Sequence, residues 1–133
     1  MKSIKASNTR PLPYGAYIST CDNSGAKIVK VFAVINHKTR KGRIQACGIG
    51  DEICAVVKKG KPDMRKTVVR VVIVRQRKEF RRADGTRVQF EDNACIVLKD
   101  DKGNPKGTIL KGPIAKEIAE RYPAVAKIAS IIL

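Results

Sequence analysis

The sequence predicts a mainly β fold: a small barrel of five or six antiparallel strands, followed by two short C-terminal helices. Three observations carry this. Apolar residues fall in short, β-branched runs, several alternating with polar positions as half-buried strands do. Turn chemistry separates the runs, most clearly at Asp22-Asn23-Ser24-Gly25 and Asp84-Gly85. A helical period appears only after Gly112-Pro113. Closing the strands into a barrel removes edges that would otherwise template aggregation. At 133 residues, the chain has room for one domain and one core.

The elements follow in order. Residues 1–13 form an N-terminal extension, extended from residue 7 to 13. Tyr14 to Cys21 reads as the first strand, and Gly25 supplies the left-handed position of the turn after it. Lys27 to Asn36 alternates, with Val29, Val31, Ala33 and Ile35 on one face and Lys30 and Asn36 on the other. A polar basic loop spans 37–43. Ile44 to Cys47 and Asp51 to Lys58 are strands around Gly48-Ile49-Gly50, and a basic connection runs from Lys58 to Lys66. Thr67 to Phe80 is the longest strand pattern, turning at Asp84-Gly85 and returning through Thr86 to Lys99. The barrel thus occupies 14–110, with a basic hairpin at about 74–96, and the helices occupy 111–133. In the first helix Ile114, Ala115, Ile118, Ala119 and Tyr122 share an apolar face expected to cover an end of the barrel. Pro123 opens the second helix.

Composition excludes most chemistry. His37 is the single histidine and sits beside Lys38 and Arg40, so acid–base, nucleophilic and metal roles lack their usual residue. The nearest cysteine pair, Cys47 and Cys54, has six residues between its members, not zinc-ligand spacing. Cys21, Cys47, Cys54 and Cys95 lie in or beside apolar runs, where reduced thiols act as small core residues. Gly48-Ile49-Gly50 lacks the third glycine of a dinucleotide fingerprint, since Ile53 stands there. The chain reads as no enzyme, with no cofactor and no metal. No apolar leader core follows the basic start and no run reaches membrane-span length, so a cytosolic location is expected.

Charge points the other way. The chain has 28 Lys and Arg against 12 Asp and Glu. Twelve of those bases, against three acids, lie between Lys58 and Arg87. One charged residue is ordinarily a solvated surface position, but solubility favours mixed signs rather than one sign gathered on one segment. A polyanion is the natural partner. Aromatics are sparse, so contacts to phosphate and sugar are expected rather than a base-stacking platform. A DNA-compacting protein needs a recognition helix or an apolar wedge, and neither is seen. A membrane-surface binder needs a basic amphipathic helix, whereas the 114–122 helix carries Glu117 and Glu120. No DNA and no membrane partner is therefore expected.

Asp22-Asn23-Ser24-Gly25-Ala26, and Asp84-Gly85-x4-Phe90-x2-Asn93-Ala94-Cys95, resemble two signatures of the large-subunit ribosomal protein L-fourteen family. The runs Val57-Lys58-Lys59-Gly60-Lys61-Pro62 and Val72-Ile73-Val74-Arg75-Gln76-Arg77-Lys78, then Gly112-Pro113, match the order of features. The resemblance covers about Tyr14 to Leu133. The residues before Tyr14 and the basic runs look like the archaeal and eukaryotic branch, and Arg70 and Ile96 depart from the bacterial pattern. The resemblance implies a closed five-stranded antiparallel β-barrel with a protruding β-hairpin and two short C-terminal helices, in the cytoplasmic large subunit. It implies direct binding of large-subunit rRNA, and bridges to small-subunit rRNA across the subunit interface. Neighbours of the L-three and L-twenty-four-e families are also implied. Carried over by position, Arg75, Arg77, Lys78, Arg81, Arg82 and Arg87 are rRNA candidates, with a second group at Lys58, Lys59, Lys61, Arg65 and Lys66. The loop residues Lys38, Arg40, Lys41 and Arg43 complete the basic set. Ile114, Glu117, Glu120 and Arg121 are candidates for a protein contact. Asp22–Gly25 is read as a structural turn first, with RNA or protein contact by Asn23 or Ser24 as the alternative.

A two-residue Asp84-Gly85 loop fixes the hairpin register. Arg82 would then face Arg87, Arg81 would face Val88, and Lys78 and Arg77 would face Glu91 and Asp92. On that register Arg81, Arg82 and Arg87 are kept for phosphate, and Arg77 and Lys78 are partly neutralised within the ribbon.

Overall fold

In the computed structural model, which describes residues 9–133, the strands are β1 (Leu12–Pro13), β2 (Tyr17–Thr20), β3 (Ala26–Val34), β4 (Ala46–Cys47), β5 (Glu52–Gly60), β6 (Val68–Arg75), β7 (Phe80–Arg81), β8 (Arg87–Val88), β9 (Ala94–Leu98), β10 (Pro113–Ile114) and β11 (Ile131–Ile132). The helices are α1 (Lys116–Arg121) and α2 (Pro123–Ile128). Residues 1–8 of the expected extension lie outside the described residues.

β2, β3, β5, β6 and β9 close a barrel in that order. Four of the contacts are antiparallel, and β2–β9 is parallel, which corrects the all-antiparallel expectation. The reason is parity. Strand direction cannot alternate all the way round a ring of five. The parallel seam is short, pairing Ser19 with Ala94 and Thr20 with Cys95. It is reinforced by Asp22, whose buried Oδ2 accepts the Val97 N–H at 2.9 Å while Oδ1 accepts the Ser24 hydroxyl at 2.8 Å. Segment 105–111 runs alongside, donating Lys106 N–H to Val97 O and Lys111 N–H to Cys21 O. Asn23 Oδ1 accepts the Thr108 N–H at 2.8 Å, and a Cβ at Gly107 would lie 2.7 Å from that oxygen. Asp22 and Asn23 are thus engaged in closing the seam.

Alternation fills the interior with Ile18, Val29, Val31, Ile53, Ala55, Val57, Val71, Ile73, Cys95 and Val97. In β3 it fails after Val31. A register shift between Val31 and Ala33 brings Val34 inside, leaving Ala33 and Ile35 half-buried, contrary to the expected face. β6 is buried on both faces from Val71 to Val74, because the C-terminal segment lies against its outer side. That segment runs along the flank rather than across an end: Ala115 N–H donates to Val74 O, and the Tyr122 ring sits against Gly103. Ile114 belongs to β10, not to the helix, and pairs in parallel with Ile132 of β11.

The expected continuous hairpin is interrupted. β6 stops at Arg75, β9 starts at Ala94, and β7–β8 form a separate small ribbon. Its loop has three residues, Ala83 to Gly85. Arg82 N–H donates to Thr86 O at 2.8 Å, and Gly85 takes the left-handed position at φ 91°. Every pair therefore shifts by one: Arg81 faces Arg87 and Phe80 faces Val88. Asp84 selects this loop by accepting both the N–H and the hydroxyl of Thr86, bonds that hold its carboxyl below the usual range.

Candidate nucleic-acid interface

The basic cluster of 58–87 is divided in space. β6 separates its halves by eight residues, roughly 25 Å at strand rise. At one end of the barrel stand Lys58, Lys59, Lys61, Arg65 and Lys66, all exposed. Their loop is anchored where Lys61 N–H donates to Gly25 O at 2.9 Å and where Met64 is buried. Two exposed residues that the sequence pattern does not single out join them. Lys106 places Nζ 3.2 Å from Met64 Sδ, and the Lys27 backbone adjoins Gly60. Both lie far away along the chain, so only the fold brings them here. Among the described residues none of these seven forms an ion pair, and the exposed acid in their loop is Asp63.

The far end carries the other two groups. Lys38, Arg40, Lys41 and Arg43 are exposed in a loop without an acid; Lys41 at φ 59° and Gly42 at φ 73° turn it, and Thr39 donates to Arg43 O. The ribbon is weaker than expected. Residues 76–93 contain five Lys and Arg but four Asp and Glu. Arg82 is turned inward, donating to Glu117 Oε1 at 2.8 Å with its side chain 14% exposed, and its guanidinium lies 5.7 Å from the Phe80 ring centre. Lys78 pairs with Glu79 at 2.8 Å, not with Glu91. Arg77, Arg81 and Arg87 remain exposed.

Arg75 is not available as a surface cation. It forms a two-pronged pair with Asp92, at 2.9 and 3.0 Å, and donates to the carbonyls of Lys111 and Pro113. Asp92 is therefore the partner of Arg75 and not of Arg77. The interior takes Arg75 because four oxygens converge on one guanidinium fork. Gln76 next to it is fully buried, accepting from Ile49 N–H and donating to Thr9 Oγ1 and Lys78 O.

The expected protein-contact residues separate likewise. Ile114 is fully buried and Glu117 is held by Arg82, whereas Glu120 is exposed and Arg121 half-buried. Cys21, Cys47 and Cys95 are buried and Cys54 is half-buried. Burial pushes the Cys21 thiol up to about 11 and Cys95 well above its ordinary value, so neither is a ready nucleophile or ligand. Among the described residues, no three His, Cys, Asp or Glu side chains are grouped to hold a metal, and no helix is long and apolar enough to cross a membrane.

Residues 12–133 match the family model described as ribosomal protein L14p/L23e. The chain is 57% identical over 133 residues to the large ribosomal subunit protein uL14 of Nanoarchaeum equitans, 50% to that of Methanocella arvoryzae and 48% to that of Halobacterium salinarum, each alignment covering 100% of both chains. These sources are archaea, in keeping with the branch suggested by the basic runs.

Proposed function

Because the chain belongs to the ribosomal protein L14p/L23e family, we propose that it binds large-subunit rRNA directly and helps bridge the large subunit to the small one. Its role is structural rather than enzymatic, as a constituent of the large ribosomal subunit in the cytoplasm. The observation that carries the RNA reading is the set of exposed cations at the two barrel ends, most of them without an ion-pair partner among the described residues. Lys27, Lys58, Lys59, Lys61, Arg65, Lys66 and Lys106 form one contact. Lys38, Arg40, Lys41 and Arg43, with Arg77, Arg81 and Arg87, form the other, and Lys78 contributes less because Glu79 partly neutralises it. Two separated basic surfaces suit a protein wedged between RNA helices, where phosphate contacts fix position without reading sequence. Small-subunit rRNA is the bridging partner. Neighbours of the L-three and L-twenty-four-e families meet the C-terminal flank, where Glu120 and Arg121 offer a mixed surface less suited to phosphate.

The protein should co-sediment with large ribosomal subunits in a gradient and stay bound at moderate salt. If roughly six to ten phosphates are neutralised, log affinity for rRNA falls against log salt with a slope of about −4 to −9. Recovery only with DNA or vesicles, or a slope near zero, refutes the reading.

A further inference from the structure

We propose that the outer barrel wall at Tyr17 seats a single unstacked RNA nucleotide, its base on the Tyr17 ring and its phosphates at Lys58 and Lys59. This deepens the rRNA reading and rests on it. Tyr17 opens β2 opposite Lys30 and is 62% exposed, while Ile18 beside it points into the core. A ring left in water on the barrel wall contributes nothing to the core.

The two lysines share this wall with Tyr17 through an irregularity in β5. Consecutive strand residues normally point to opposite faces, so only one of Lys58 and Lys59 should line this wall. Here Ile28 pairs with Lys59 and Val29 with Val57, so Lys58 is the extra residue of a bulge. A bulge re-aims side chains. As a result Tyr17, Ile28, Lys58 and Lys59 line one concavity of about 370 Å³. The volume falls within the roughly 300–1,000 Å³ range of small-ligand sites. Its lining is one aromatic residue, one aliphatic residue and two lysines, with no carboxylate. A nucleotide supplies the matching parts, a flat ring beside an anion. A base inside a duplex has no free face, so the occupant is an unpaired one.

The test uses the full-length protein and two RNA hairpins identical except for one bulged adenosine. The bulged hairpin should bind roughly 5- to 100-fold more tightly. Tyr17→Ala should abolish that preference while leaving the paired hairpin's affinity and salt slope unchanged, and Tyr17→Phe should keep it. Ultraviolet irradiation should crosslink the bulged base to Tyr17. Replacing Lys58 and Lys59 with Gln should reduce the salt slope by about one to two. Equal affinity of the parent for both hairpins, or a preference that survives Tyr17→Ala, overturns the seat. So do crosslinks from Lys58 and Lys59 in assembled subunits that reach only protein. If these occur with a steep salt slope, the rRNA reading stands without the seat; a flat slope removes both.

Discussion

Replacing Arg75 with Met should destabilise the fold and leave RNA affinity of the folded protein unchanged. The guanidinium makes two bonds to backbone carbonyls, at 2.9 Å to Lys111 and 3.0 Å to Pro113, plus the pair with Asp92. A hydrogen bond to a charged group is worth about 1.5–3 kcal/mol. Asp92's side chain is 52% exposed, so its carboxylate rehydrates when Arg75 is lost, and the pair adds under about 1 kcal/mol. Water also reaches part of the exposed Lys111–Gly112 backbone. The net cost is about 2–4 kcal/mol, which at a slope near 2 kcal/mol/M moves the urea midpoint down by about 1–2 M. Gly112→Ala should mimic it, because Gly112 sits at φ 79° and a Cβ there would lie 2.6 Å from Arg75 Nη1. In the Arg75→Met background the alanine should cost less, the clash being gone. Equilibrium unfolding with filter binding on the same preparations measures both properties. A variant as stable as the parent that has lost rRNA affinity refutes the internal role.

The ribbon arginines should separate in the same assays. Arg82→Gln should cost about 1–2 kcal/mol, since Glu117 is left partly buried without its cation. Arg81→Gln with Arg87→Gln should leave stability unchanged or raise it by about 0.2–1 kcal/mol, because two like charges no longer face each other. Stability should also fall in alkali. The Cys21 thiol titrates at about 11 folded against 9.0 ordinarily, so the unfolded chain gives up its proton first. The stabilisation is whole below about pH 9 and is lost as pH rises to about 11, roughly 2–3 kcal/mol in all. Cys21→Ala should flatten that part of the urea-midpoint profile, and an unchanged slope counts against the buried thiol.

The residue pattern by itself shows the strand-rich class, the two helices that follow Gly112-Pro113, and the excess of positive charge. Those features are local, set by side-chain period, turn residues and composition. Hydrophobic period places α1 and α2 within a few residues, but it also draws Ile114 into the helix, because an apolar residue next to a helix fits its stripe equally well. Only the pairing of β10 with β11 makes Ile114 a strand residue. Likewise, alternation identifies β3 but cannot reveal the shift after Val31, since a bulge leaves no mark in the order of apolar residues.

The candidate interface shows the same division. Which residues are basic, and that a polyanion must balance them, follows from the sequence alone. Which of them face outward does not. Arg75 and Arg82 look like their neighbours along the chain, yet Asp92 and Glu117 draw them inward from 17 and 35 residues away. Lys27 and Lys106 join the Lys58–Lys66 group only because the fold brings β3 and the segment after β9 beside that loop. Side-chain type and period act between near neighbours, and a single chain displays them directly. Partners of a buried charge and the grouping of distant cations depend on closure of the ring, where one parallel seam is required by five strands, and so they are decided by the tertiary structure.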